Sequence, residues 1–213
     1  MKRIIYFLPL LALLVSCDLL SDTKISSTDV GGDGNLTMNV VGTKMSTSVQ
    51  VGSTSYSASA TVTSNVNGVV TMDVRATLPK NNSLVNLIPA NLKDASGNLS
   101  TTTKYKNTSE GILDYTNKDG KPLVIVNYSS SVGDKYTLTK SDGTTITRTV
   151  TAKTEVDDYP VMGGSILIKT MTVEQDSRIP GVSKIVYITN HKYALVAIVV
   201  YMNDGTSTKI SLL

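Results

Sequence analysis

The stretch IVYITNHKYALVAIVVYM, residues 185–202, decides the fold class of this 213-residue chain. Two runs rich in β-branched residues, 185–189 and 194–202, flank the polar turn Asn190-His191-Lys192. Each run has the length of a strand, so the pair predicts an antiparallel hairpin. The second run is almost wholly apolar from Leu195 to Tyr201, which predicts a central strand buried on both faces.

Strand and turn patterns continue on both sides of this hairpin. Downstream, Asp204-Gly205 predicts a turn into a last strand over 209–213. Upstream, one long strand is predicted over 166–173, and Asp142-Gly143 and Asp119-Gly120 each predict a hairpin turn. Strands at this spacing, without helices between them, are typical of an antiparallel meander.

The chain between residues 35 and 77 alternates between apolar and polar residues. Leu36, Met38 and Val40 fall on one parity, and two further alternating series run from Tyr56 to Val62 and from Val70 to Ala76. A period of two predicts strands with one buried face. Asn67-Gly68, between the two series, predicts a two-residue hairpin turn because both residues tolerate positive φ.

Residues 79–109 interrupt the strand pattern. Pro79 and Pro89 bracket an apolar run whose spacing predicts one or two helical turns near 82–94, with Ser83 as a candidate cap. Serine and threonine make up 52 residues of the chain, which favours strands elsewhere. We therefore predict a mainly β protein: an antiparallel meander forming a curved sheet or half-barrel, with at most one short helix. An open half-barrel and a closed sandwich remain alternatives.

The N-terminus carries a targeting signal. Lys2 and Arg3 precede an apolar run over 4–15, which is too short to span a membrane and predicts a signal peptide over 1–16. The run ends in Leu14-Val15-Ser16-Cys17, which resembles the lipobox of bacterial lipoproteins. The resemblance implies that Cys17 becomes the mature N-terminus, diacylated on its sulfur and acylated on its amine. An ordinary secretory signal with an incidental Cys is the alternative.

The chain after the signal peptide divides into two parts. Residues 17–34 are small, polar and Gly-rich, which predicts a lipidated, flexible tether. Asp29, Asp33 and Asn35 lack the full spacing of a calcium loop. Residues 35–213 are predicted to form a single β-rich domain, with 79–109 as the place where it would subdivide.

The net charge and the targeting signal limit the classes of partner that the protein is expected to bind. Loss of Lys2 and Arg3 with the signal peptide lowers the formal net charge from +3 to +1, which argues against nucleic acid as a partner. The lipid anchor makes the membrane a partner and the cell envelope the location. The outer membrane is favoured, and the periplasmic and surface sides are both left open.

The C-terminal half carries a second resemblance. Val132-Gly133-Asp134-Lys135-Tyr136, and Tyr193-Ala194-Leu195-Val196 before Asp204-Gly205, resemble motifs of secreted bacterial lipoproteins of unassigned function, although Ala194 stands where those proteins have Gly. The resemblance covers roughly residues 125–210 and implies a curved antiparallel sheet and no catalytic residue. The first motif also has a local explanation, because Gly133 permits a tight turn and Asp134 can bond the backbone. Tyr136 would then start a strand on its buried face.

Few residues are candidates for chemistry. His191 is predicted to be an exposed turn residue, and Asp157-Asp158 with Glu155 to be a solvated loop rather than a glycosidase pair. One Cys excludes a multi-Cys metal site, and we predict no catalytic residue, metal or cofactor. The candidate ligand-lining residues are tyrosines, whose rings are apolar and whose hydroxyls are polar; the alternative is that they fill the core. They are Tyr128, Tyr136, Tyr187, Tyr193 and Tyr201.

These observations predict a non-enzymatic, membrane-anchored lipoprotein that binds an apolar or glycan ligand in the cell envelope. The alternatives are a structural or protein-interaction lipoprotein of the outer membrane and, less favoured, a hydrolase. An open concave apolar face would favour the binding module, and a closed, filled core would favour the structural role.

Overall fold

Antiparallel strands make up most of the structure, a computed structural model that describes residues 26–79, 83–177 and 179–213. The strands are β1 (Lys44–Val51), β2 (Thr54–Val66), β3 (Val69–Ala76), β4 (Leu99–Asn107), β5 (Gly111–Asp114), β6 (Leu123–Asn127), β7 (Lys135–Thr139), β8 (Thr145–Lys153), β9 (Tyr159–Val161), β10 (Ile166–Ile168), β11 (Met171–Asp176), β12 (Val182–Asn190), β13 (Ala194–Met202) and β14 (Ser207–Ser211). Twelve of them form one nearly closed, barrel-like sheet in the order β6-β5-β4-β3-β2-β1-β14-β13-β12-β11-β8-β7. The predicted fold class is therefore confirmed.

The turns form where the sequence places residues that accept positive φ. Asn67 and Gly68 have φ of 53° and 80° and connect β2 to β3 directly, since Val66 pairs with Val69. Gly133 has φ of 100°, and Ser131 N donates to Asp134 Oδ2 at 2.7 Å. Both local predictions are confirmed.

A single short α-helix, α1 (Ser83–Leu87), lies among the described residues, and one 3-10 turn over Ala90–Leu92 follows it. The helical turns predicted near 82–94 are thus confirmed. The proposed cap on Ser83 stays a prediction, since its side chain lies outside the described part. The helical segment lies between β3 and β4, which pair with each other in the main sheet.

The long strand predicted over 166–173 is wrong. Residues 166–168 form β10, which pairs with β9 in a separate two-stranded sheet, and a new strand, β11, begins at Met171. The β9–β10 hairpin folds against the outer wall, where Val161 and Ile168 pack on Val196 of β13. Burial on both faces is confirmed for the start of β13 but not for its end, where Tyr201 is 37% exposed.

The main core lies on one side of the barrel. It is built from β5, β6, β7, β8, β11, β12 and the first residue of β13, and β5 approaches β13 across the interior. All four aliphatic residues of β6, Leu123 to Val126, have no exposed surface. The barrel is therefore filled and flattened here, whereas the side formed by β1 to β4 is not part of this cluster.

β6 and β7 are the two edges of the sheet, and residues 26–35 run from the seam between them to the turn that follows β4. We call these residues the strap. Val124 N of β6 donates to Ser27 O at 2.8 Å, and Thr137 N of β7 donates to Ser27 Oγ at 2.9 Å. Val30 is 4% exposed and belongs to the core. The strap thus supplies hydrogen bonds that the two edges do not exchange directly.

The flexible tether predicted over 17–34 is therefore wrong for residues 26–34. Asp33 is also held in place: Ser109 N donates to Asp33 O at 2.9 Å, and Asp33 N donates to Ser109 Oγ at 3.0 Å. Composition obscured this because one buried valine suffices to dock a polar segment when its backbone finds partners. Residues 17–25, including Cys17, lie outside the described residues.

Candidate functional site

The cross-strand registers identify the side chains that face the barrel interior, which we call the lumen. One row of register partners passes through seven strands, starting from β8, where Val150 is fully buried. Its members are Val150, Val173, Tyr187, Ile198, Ile210, Val49 and Tyr56. Because side chains alternate along a strand, this row assigns the inward face of every strand that it crosses, as far as the β-bulges that shift the register. One of these bulges, at Val196 in β13, turns that side chain to the outer wall.

The lumen wall formed by β1 to β4 and β14 carries no charged residue. Its inward positions are Met45, Thr47, Val49, Val51, Tyr56, Ala58, Ala60, Val62, Val70, Met72, Val74, Ala76, Leu99, Thr101, Thr103, Tyr105, Thr208 and Ile210. The outward neighbours include Lys44, Asp73 and Arg75. Thr47, Met72 and Val74 lie in mid-strand and are nevertheless partly exposed. Other inward residues of this side, among them Val49, Val62 and Val70, are buried. The surface that water reaches on this inward face therefore includes Thr47, Met72 and Val74.

A connecting segment crosses one end of the barrel. Residues 77–98 leave the sheet at Ala76 and return at Leu99, and they carry α1. A Cβ added at Gly181 would lie 3.5 Å from Leu87 Cδ1 and 3.9 Å from Met202 Cε. Gly181 precedes β12 and Met202 ends β13, on the side of the barrel opposite β3 and β4. Residues 83–98, the described part of this connection that carries α1, therefore lie over this end of the lumen, and we call them the lid.

An ion pair is buried at the boundary between the filled side and the apolar side. Arg148 of β8 is 2% exposed, and its Nη2 donates to Asp114 Oδ2 at 2.6 Å. Its Nε donates to Gln175 Oε1 at 2.8 Å, and its guanidinium lies 4.9 Å from the centroid of the Tyr187 ring. Burial, followed by the charge of Asp114, raises the pKa of Tyr105 far above its ordinary value. Burial also raises the pKa of Tyr187. Both hydroxyls therefore stay protonated, and the Asp114 carboxylate balances the charge of Arg148.

Arg148 also holds the seam. Its Nη1 donates to Leu123 O at 3.2 Å and to Val124 O at 3.3 Å, both on β6. Beside it, Asn127 N donates to Tyr136 OH at 3.0 Å, and Tyr136 OH donates to Ser130 Oγ at 2.7 Å. The edges are thus joined by side chains as well as by the strap. Nothing in the sequence marks Arg148 as a buried residue except its parity, which it shares with inward Ile146 and Val150.

The five tyrosines predicted to line a ligand site lie in separate places. Tyr136 and Tyr187 are 0% and 8% exposed and belong to the core, where burial raises the pKa of each hydroxyl. Tyr193 packs on the outer wall beside Val196, and Tyr201 is exposed with Lys184 Nζ 5.2 Å from its ring centroid. Only Tyr128 of the five lines a described cleft.

The Tyr128 cleft lies at the end of the barrel opposite the lid and has a volume of about 230 Å³. It is lined by Tyr128, Lys153, Thr154, Glu155, Lys169, Thr170, Met171, Thr189, Asn190 and His191. A second cleft, of about 260 Å³, lies on the outer wall near the lid. Asp94, on its rim, accepts hydrogen bonds from Ser96 N and Asn98 N, so its Oδ1 serves the local turn.

Within residues 26–79, 83–177 and 179–213, no three His, Cys, Asp or Glu side chains are grouped so that they could hold a metal ion. In the same ranges, no helix is long and apolar enough to cross a membrane. His191 is exposed, and its ring meets the Tyr128 ring edge-on at a centroid distance of 6.5 Å.

The chain has no match among protein families, curated proteins or solved structures.

Proposed function

We propose that the protein is a lipid-anchored, non-enzymatic binding module of the cell envelope, and that it holds an apolar ligand in its lumen. The observation that carries the proposal is the uncharged inward face of β1 to β4, with Met72 and Val74 partly exposed in mid-strand. Apolar surface that remains accessible inside a barrel is stabilised when a ligand covers it. The lid gives such a ligand a route of entry that leaves the sheet intact.

The ligand carries a polar group as well as an apolar body. Thr103 lies on the inward face of β4 opposite Met72, and its Oγ1 is buried with no hydrogen-bond partner in the described part of the chain. A buried hydroxyl without a partner costs free energy, so a ligand hydroxyl or carbonyl at this depth adds affinity. A fatty alcohol or an acyl ester fits this description better than a plain hydrocarbon.

We expect the lumen to be blocked by a single large side chain. In Val74→Trp, the indole occupies the apolar side of the lumen, so affinity for the neutral dye N-phenyl-1-naphthylamine should fall about tenfold or more, which corresponds to about 1.4 kcal/mol. Binding is measured by dye fluorescence on the whole chain carrying Cys17→Ser, so that no acyl chain of the protein competes. Asp73→Trp, on the neighbouring outward position, should bind like the parent. Equal affinities in both variants, or no dye binding by the parent, would refute the lumen site.

The anchor is tested separately. Labelled palmitate should enter the parent chain, and Cys17→Ser should lose both the label and membrane association, because Cys17 is the only thiol. Two or three acyl chains hold a protein stably at a bilayer, whereas one chain holds it only marginally. Equal labelling of the two proteins would show that the Leu14-Val15-Ser16-Cys17 motif is not a lipobox.

A structural or protein-interaction role is the second candidate, and one surface favours it. The β9–β10 hairpin exposes apolar side chains at its tip and outer face: Met162 is 51% and Leu167 53% exposed, and Val156 before β9 is 63% exposed. Grouped apolar side chains of this kind mark contact surfaces. The protein-interaction role would be supported if Leu167→Ser abolishes complex formation in cross-linked cells while dye binding is unchanged.

A further inference from the structure

The Tyr128 cleft is assembled from the ends of four strands. Tyr128 follows β6, Lys153 ends β8, Met171 begins β11 and Asn190 ends β12. These strands belong to the filled side of the barrel, so the cleft stands on the most completely packed part of the molecule. A concave site on a rigid support holds its side chains in place before a ligand arrives.

Asn190 fixes the shape of the cleft. Its side-chain Nδ2 donates to Lys169 O at 2.7 Å, which holds the base of the β9–β10 hairpin. Its Oδ1 accepts from Lys192 N at 2.8 Å and from Tyr193 N at 3.1 Å, which sets the turn that carries His191. The backbone O of Asn190 accepts from Tyr128 OH at 2.8 Å. One buried residue thus positions a ring, a histidine and a lysine around a single cavity.

Two aromatic rings form one wall. The Tyr128 hydroxyl is anchored on Asn190 O, and burial raises its pKa far above the ordinary value. The His191 ring stands at 83° to the Tyr128 ring. Such a corner of two rings presents flat apolar surface next to nitrogen donors, a combination that suits the alternating C–H and O–H groups of a sugar.

Two lysines and a carboxylate line the cleft. Lys153 and Lys169 line the cleft, and Glu155 is its one lining carboxylate. Lys153 Nζ donates to Tyr128 O at 3.1 Å and to Ser130 O at 3.2 Å, which uses two of its three donor positions. Asp157, beside the lining, accepts from Lys169 N at 2.9 Å through its Oδ1 and adds a second carboxylate near the cleft. The lining therefore supplies ammonium groups for an acidic group on a ligand and carboxylate oxygens for its hydroxyls.

We propose that the Tyr128 cleft is a second binding site, for a sugar that carries a carboxylate. The sugar ring lies against Tyr128 and His191, its carboxylate faces Lys153 and Lys169, and Glu155 accepts from a ring hydroxyl. The site is independent of the lumen, because the lid and this cleft lie at opposite ends of the barrel. The protein would then join an apolar ligand to an acidic glycan through one rigid body.

The test uses the whole protein and two probes, a glucuronic-acid disaccharide and the glucose disaccharide of the same linkage, with binding measured by calorimetry. We expect the acidic probe to bind at least about tenfold more tightly, a difference of about 1.4 kcal/mol. Lys169→Gln should remove this preference, whereas His191→Ala should lower the affinity for both probes. Lys44→Gln, on the outer wall of β1, is the matched control and should change nothing.

Several outcomes would overturn the proposal: equal affinity for the two probes, no binding of either one, or an unchanged preference in Lys169→Gln. His191 and Lys169 are exposed, so we expect both variants to keep the melting temperature of the parent. Val74→Trp should still bind the acidic probe, because it alters only the lumen. Loss of acidic binding in that variant would show that the two concavities are not separate sites.

Discussion

Replacing Arg148 by alanine will lower the free energy of unfolding by about 3–5 kcal/mol, the range observed when one partner of a buried ion pair is removed. The substitution leaves the Asp114 carboxylate in a largely buried position without its cation, and Gln175 Oε1 without its donor. It also removes both side-chain bonds to the carbonyls of Leu123 and Val124, which hold edge strand β6 to β8. Chemical denaturation, followed by far-ultraviolet circular dichroism, measures the loss.

Two further variants identify the cause of that loss. Arg75→Ala removes an exposed arginine from the outer face of β3, and its effect should stay within about 0.5 kcal/mol. Arg148→Met combined with Asp114→Leu removes both charges and should recover much of the stability, because a buried pair often contributes little beyond an apolar replacement. If the double variant is as unstable as Arg148→Ala, the bonds to β6, rather than the unpaired carboxylate, account for the effect.

Alternation along the chain predicted β2, β3 and the faces that they bury, but the same pattern at Leu36, Met38 and Val40 did not give a strand, since a 3-10 turn lies over Thr37–Asn39. Tyr56 to Val62 and Val70 to Ala76 form paired strands with a shared inward face, joined by the predicted Asn67-Gly68 turn. The same periodicity places Arg148 inward, but a lone charge in a strand does not reveal its partner. Asp114 lies 34 residues earlier in the sequence, and only the closure of the barrel brings the two together.

Long-range closure is also the reason why the other predictions failed. The segment over 166–173 has an uninterrupted strand pattern, yet it divides because β10 pairs with β9 on the outer wall while β11 pairs inside the main sheet. Tyrosine spacing did not show which rings share a cavity, since Tyr136 closes the seam and Tyr201 lies on the outside. Such pairings depend on sheet order, which local patterns do not encode.

Ala194 shows a backbone feature that the residue type does not reveal. It has φ of 54°, a conformation that favours glycine. It is also 4% exposed and packs in the core, so its methyl group offsets part of the strain.

The strap is the element in which composition and structure disagree most, and its energetics follow from the seam. Val30 packs against Gly111, where an added Cβ would lie 2.9 Å from Val30 Cγ1 and 2.4 Å from Val126 O. Ser27 bridges the two edges by accepting from Val124 N and Thr137 N. Without the strap, β6 would present an apolar, unpaired edge, which is the type of surface that leads to aggregation.

Val30→Asp should therefore destabilise the protein strongly, because it places a charge in a dry core position while the chain remains complete. We expect a loss of about 3 kcal/mol or more, and a fall in melting temperature of about 6–12 °C for a domain of this size. Val41→Asp makes the same change at a valine that is 57% exposed, and it should leave the melting temperature within about 2 °C of the parent. Light scattering during the thermal scan should show earlier aggregation in Val30→Asp alone, as β6 becomes accessible. Equal melting temperatures in the two variants would mean that the strap does not close the seam in solution, and residues 26–34 would then return to being a flexible tether.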